Sequence, residues 1–141
     1  MTGKVKLIIR GVRSGPGSED ISEVDTTAEY YDNGVTKYMF YTEYTEEGQL
    51  VKNRLTIAPD HIELKKTGET VSVLTFREGI KKSCLYQTPA GPMEFISDTK
   101  RIELRESEDT LTLKMEYSLL MNDEPVSDHR LTVDARLLMQ A

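Results

Sequence analysis

The sequence predicts an all-β fold, an antiparallel up-and-down barrel of about eight to ten strands. Three observations predict it. The dominant hydrophobic period is two, the strand period, and no stretch repeats at the helical 3.6. Short turn signals built on Gly, Pro, Asn and Asp punctuate the chain every few residues. The 141 residues make one domain, 1–141, large enough to close a real core.

The elements follow in order. "KVKLIIRGV" sets Val5, Leu7 and Ile9 on one side, and "SGPGSED" (14–20) reads as a flexible loop. "ISEVDTTAEYY" keeps Val24, Thr26, Ala28 and Tyr30 in phase, and "DNG" (32–34) is a tight turn, since Asn and Gly accept positive φ at little cost. "VTKYMFYTEYT" is rich in residues that strands favour. Tyr38 and Tyr44 share its Phe40 face, which reads as internal. After "EEG" (46–48), "QLVKNRLTI" aligns Val51, Asn53, Leu55 and Ile57. "HIELKKT" sets Ile62 with Leu64, "TGE" leads to "TVSVLTFR", and "REG" (77–79) leads to "IKKSCLYQT". "TPAGP" (88–92) opens "MEFISDTKRIELR". There the apolar parity shifts from Met93 and Phe95 to Ile102 and Leu104, the mark of a bulge or bend. "TLTLKMEYSLLMN" lines up Leu111, Leu113, Met115, Tyr117, Leu119 and Met121. "NDEP" turns the chain, and "VSDHRLTVDAR" puts His129, Leu131, Val133 and Ala135 on one face. The tail "RLLMQA" predicts a helical turn at most.

Strands this short and this closely linked pair with their sequence neighbours, and a sheet of about ten strands curls shut to hide its edges. A two-sheet sandwich is the alternative. Composition excludes several functions. Hydrophobic residues are 38%, charged residues 30%, and the net charge is -6. An acidic chain whose basic pairs are isolated ("KK" at 65–66 and 81–82) lacks the concentrated basic face that nucleic acid requires. No run approaches 18 apolar residues, so no membrane span is expected, and the "MTGKVKLIIRGVRSG" start is too broken for a signal core. One cysteine, Cys84, makes no internal disulfide, and the expectation is a cytoplasmic protein.

"YYDNG" (30–34), "FYTEYTEEG" (40–48), "FREG" (76–79), "YQTPAGPMEF" (86–95), "LTLKMEYSL" (111–119) and "HRLTV" (129–133) together resemble the YwiB-like proteins, a bacterial family of unknown function. The likeness runs from about Val5 to Arg136, and "Y-x-TP-x-G" is its most specific token. The resemblance implies a calycin or lipocalin-like barrel and no catalytic residues. This chain departs from the pattern at His129, where asparagine is common, and at "KKTG" (65–68), which lacks an arginine before the turn glycine.

The residues themselves signpost no catalytic centre. His61 and His129 are not spaced as a metal-ligand pair, and by alternation His61 faces water while His129 faces inward. A lone inward histidine is ordinarily hydrogen-bonded structure. Cys84 sits mid-strand as a small hydrophobe. Nucleophile elbow and phosphate loop are both absent from the sequence. An enzyme would need an inward acid or base such as His129 to meet Arg77 or Arg101. The tyrosines suggest more, because an inward tyrosine offers a ring and one polar tip. The candidate ligand-binding set is therefore Tyr30, Tyr44, Asn53, Arg77, Tyr86, Tyr117 and His129. The expected function is a non-enzymatic lipocalin-like barrel holding a small, partly apolar molecule in its interior, with no metal or cofactor. A solid-cored interaction or scaffold module, monomeric or homodimeric, is the alternative.

Overall fold

The structure, a computed structural model, describes residues 3–139. Ten strands form, each where the sequence alternates: β1 (Gly3–Gly15), β2 (Ser18–Asp32), β3 (Lys37–Tyr44), β4 (Leu50–Ile57), β5 (Ile62–Thr67), β6 (Val71–Phe76), β7 (Lys81–Thr88), β8 (Gly91–Glu106), β9 (Thr110–Met121) and β10 (Glu124–Met139). Every strand pairs antiparallel with its sequence neighbour. β1 also pairs with β10, Leu7 opposite Ala135, and this last ladder closes the barrel.

Turn chemistry sets the hairpins. β9 and β10 are joined by Asn122 and Asp123 alone, both with positive φ (53° and 66°), as a type I′ turn requires. β1 and β2 are joined by Pro16 and Gly17, with Gly17 at φ 78°. Regular pairing runs up to this turn, so 14–20 is hairpin rather than flexible loop. At the "DNG" turn the side chains of Asp32 and Asn33 accept the amides of Gly34, Val35 and Thr36. Arg136–Met139 continue β10, so the chain forms no helical turn there.

Val5, Leu7, Met39, Leu55, Phe76, Leu113, Met115 and Val133 fill the lumen, each no more than 1% exposed. Side chains of this size contribute about 1.5–3 kcal/mol apiece on burial, so filling the lumen is what holds the cylinder shut. β8 changes parity as expected. Phe95, Ser97 and Thr99 are on the inner side, a bulge falls between Thr99 and Arg101, and Ile102 restores the inner row beyond it.

Two ladders of the wall stop early. β6 pairs with β7 only over Val71–Val73, and β2 pairs with β3 only over Glu29–Asp32. The β6–β7 split is sealed by side chains. Cys84 Sγ accepts the Thr75 amide at 3.4 Å, and Ser97 Oγ donates to the Thr75 carbonyl. Below it the Gly79 amide reaches Thr99 O at 2.8 Å, and Glu78 Oε2 accepts the Ile102 amide at 3.1 Å. Among the described residues no hydrogen bond seals the β2–β3 split.

Candidate functional site

The expected ligand residues separate into three groups. Tyr117, His129 and Tyr86 belong to one aromatic cluster at the inner wall. Tyr117 lies 4.4 Å from the Phe76 ring and stacks on His129 at 4.8 Å with 3° between the planes. Tyr86 meets Phe95 edge-on at 4.9 Å. His129 Nε2 and Ser127 Oγ are 2.7 Å apart. Burial raises the Tyr117 and Tyr86 hydroxyls above the ordinary tyrosine value. Burial and the nearby Arg13 lower His129 below the ordinary histidine value, against a weaker opposing pull from Asp128. The cleft beside this cluster measures about 230 Å³, under the 300 Å³ or so where ligand pockets begin. His129 is thus a packed, hydrogen-bonded wall residue.

Two expected residues lie elsewhere. Tyr44 is 71% exposed, because β3 turns Met39 and Tyr41 inward and sends Tyr38, Phe40 and Tyr44 to the outer side. The "YMFY" run is apolar at both parities, so alternation could not choose between them. Outside, Tyr31, Tyr38 and Phe40 form a row with centroids 6.4 and 6.3 Å apart. Arg77 is exposed in the β6–β7 turn, bridged to Ile80, because Ser72, Leu74 and Phe76 hold the inner parity of β6. "VSVLTF" offers valines at one parity and Leu and Phe at the other, and the larger pair goes in. Arg101, also exposed, reaches Glu103 at 3.5 Å. His61 and Asp60 pair at 2.8 Å. No group of three or more metal-ligating side chains occurs among the described residues.

Tyr30 and Asn53 point inward as expected, at 3% exposure each. Asn53 leads to the feature that alternation did not anticipate. It sits between Tyr41 on β3 and Lys66 on β5 in one inner row across three strands. Its Nδ2 donates to Val51 O at 3.4 Å, while its Oδ1 is buried with no hydrogen-bond partner among the described residues. Such an acceptor costs about 1–3 kcal/mol to leave unmet.

Asn53 lines the unsealed β2–β3 split, where the wall opens into a cleft of about 470 Å³. Ala28, Tyr41 and Asn53, each buried, make its floor. Lys4, Thr27, Glu29, Phe40, Thr42 and Lys52, each exposed, make its rim. Burial raises the Tyr41 hydroxyl above the ordinary tyrosine value, so it is a neutral donor and acceptor at physiological pH. The volume falls within the range of small-molecule sites, and the walls are strand edges whose main-chain groups lack ladder partners. The only sequence signal for the place is Asn53, a polar residue on an otherwise apolar inner face.

The comparisons agree with this architecture. A family model described as "Domain of unknown function (DUF1934)" matches residues 7–133. The uncharacterized beta-barrel protein YwiB of Bacillus subtilis (strain 168) is 24% identical over 131 residues, covering 92% of this chain and 90% of that protein. The crystal structure of the ywiB protein from Bacillus subtilis matches with a TM-score of 0.85 at 20% identity, over 97% of this chain and 93% of that one. At that identity the structural likeness speaks to the fold.

Proposed function

The chain belongs to the family described as Domain of unknown function (DUF1934), and within that frame we propose that its barrel is a non-enzymatic binding module for a small, partly apolar molecule. The molecule sits in the open seam between β2 and β3 rather than in the filled lumen. One observation carries this reading: Asn53, a residue 3% exposed whose buried amide oxygen has no partner among the described residues, lines a cleft of about 470 Å³. A buried acceptor favours a partner that brings an N–H or O–H to it. Ala28, Phe40 and the Tyr41 ring supply the apolar contact, and the reading keeps the protein in the cytoplasm.

N-phenyl-1-naphthylamine tests it, because this neutral probe combines fused and single rings with one N–H donor and brightens when removed from water. We expect saturable binding to the wild type. Asn53→Leu keeps the bulk but removes the acceptor and weakens binding about tenfold, equivalent to ~1.4 kcal/mol. Thr42→Tyr, at an exposed rim position, blocks the mouth and abolishes binding. Equal titration curves for all three proteins, or no saturable signal with the wild type, would overturn the proposal.

A second reading rests on the outer row of Tyr31, Tyr38 and Phe40, with Tyr31 53% and Phe40 45% exposed. Aromatics of this kind are enriched where proteins meet, which favours an interaction or homodimeric role for that outer face. Light scattering of the wild type beside Tyr31→Ser/Phe40→Ser decides it: an unchanged size, with a monomer in both, removes that role.

A further inference from the structure

Resting on that reading of the seam, we infer that the site selects an anionic ligand, oriented with its hydrogen-bond donor down toward Asn53 and its negative group up at the rim between Lys4 and Lys52. The two lysines come from opposite flanks. Lys4 lies on β1, one strand beyond β2, and Lys52 lies on β4, one strand beyond β3. Both line the cleft, both are exposed, and neither has an ion-pair partner among the described residues. The neighbouring lysines are committed elsewhere: Lys6 to Asp25 at 2.7 Å and Lys66 to Glu43 at 2.8 Å. That second pair also occupies Glu43, the β3 acid nearest Lys52 in the ladder. Glu29, opposite Lys4 in the register, is the one acidic side chain among the described rim residues. Among the described lining residues, two lysines against one glutamate leave the mouth net positive on a chain of net charge -6.

This local inversion is what makes the inference specific. At physiological salt the Debye length is about 8 Å, so the acidic remainder of the surface is largely screened from a ligand held between the lysines. Only the rim charges act on it at close range. The cleft thus has a polarity: an acceptor at the floor, apolar contact midway and cations at the mouth. A carboxylate, sulfonate or phosphate on an apolar body that also carries an N–H or O–H matches all three levels. A neutral or cationic ligand of the same shape forgoes the third.

A matched pair of probes isolates that level, because 8-anilinonaphthalene-1-sulfonate is N-phenyl-1-naphthylamine with one sulfonate added. We expect the sulfonate to bind the wild-type chain at least fivefold tighter than the neutral probe. In Lys4→Gln/Lys52→Gln the sulfonate loses about tenfold, while the neutral probe stays within twofold of its wild-type affinity. Raising NaCl from 0.05 to 0.5 M weakens the sulfonate alone. Two surface glutamines leave the core untouched, and an unchanged melting temperature verifies it. Equal wild-type affinities for the two probes, or equal losses in the double variant, would sink the charge selection while leaving the seam as a binding site. If Thr42→Tyr leaves both probes bound, the seam is not their site and the underlying reading fails with the inference.

Discussion

His129 shows how a lone histidine becomes wall rather than site. Its imidazole stacks on Tyr117, its Nε2 is engaged with Ser127, and burial together with Arg13 favours the neutral form over the opposing pull of Asp128. A histidine whose folded value lies below its unfolded one binds its proton more readily in the unfolded chain. Stability is therefore complete above the unfolded value of about 6.5 and falls as the pH drops from there through the lower folded value. We expect thermal melts between pH 8 and pH 5 to show a steeper decline for the wild type than for His129→Gln, the difference arising below about pH 6.5. Parallel declines would mean that the imidazole does not feel its surroundings in this way. Asn53 is the contrasting residue. Equally inward and far more buried, it leaves an acceptor unmet, and an unmet group marks a site where a satisfied one does not.

At the scale of elements, the two short ladders explain why one side of the barrel is tight and another open. Where β6 leaves β7, Cys84 and Ser97 replace the missing main-chain partners of Thr75. Ser97 is fully buried, so Ser97→Ala strands the Thr75 carbonyl without that donor and costs about 1–3 kcal/mol. Urea unfolding measures the loss, and faster amide exchange confined to the β6–β7 region would locate it. A variant as stable as the wild type would show that the serine seals nothing. Where β2 leaves β3 no such side chains are present among the described residues, and Ala28 and Tyr41 line an opening instead. The periodicity of most strands is visible in the sequence, and so is the bulge that moves β8 from Thr99 to Ile102. How far a strand stays with its neighbour is not, because ladder length depends on the curvature of the closed wall.

For the whole molecule, closure through β1 and β10 removes most sheet edges but leaves β2 unpaired on one side from Ser18 to Ala28. That edge carries Glu19, Asp20, Glu23 and Asp25 and no cation. Two such edges laid antiparallel place acid near acid, which opposes self-pairing. We expect Glu19→Thr/Glu23→Thr/Asp25→Thr to associate beyond the wild-type state at the same concentration, read by light scattering, and to revert when Lys is placed at the same positions. If the threonine variant keeps the wild-type size, the acids are not what guards the edge.

The sequence by itself pointed to an antiparallel meander of about eight to ten strands, to where most of its turns fall, and to the parity that packs inward in β1, β4, β9 and β10. In those strands one parity is clearly the more apolar, and that parity is the one that packs into the lumen. It also marked Asn53, Tyr30 and Tyr117 as inward. Only the tertiary structure decided the faces of β3 and β6, where both parities are apolar and the choice belongs to packing across the lumen. That choice sends Tyr44 and Arg77 to the surface. The seam that gathers Lys4, Tyr41, Thr42 and Lys52 around Asn53 is likewise a product of closure: it exists because a curved wall parts two strands far from each other's turn, and no local pattern records that separation.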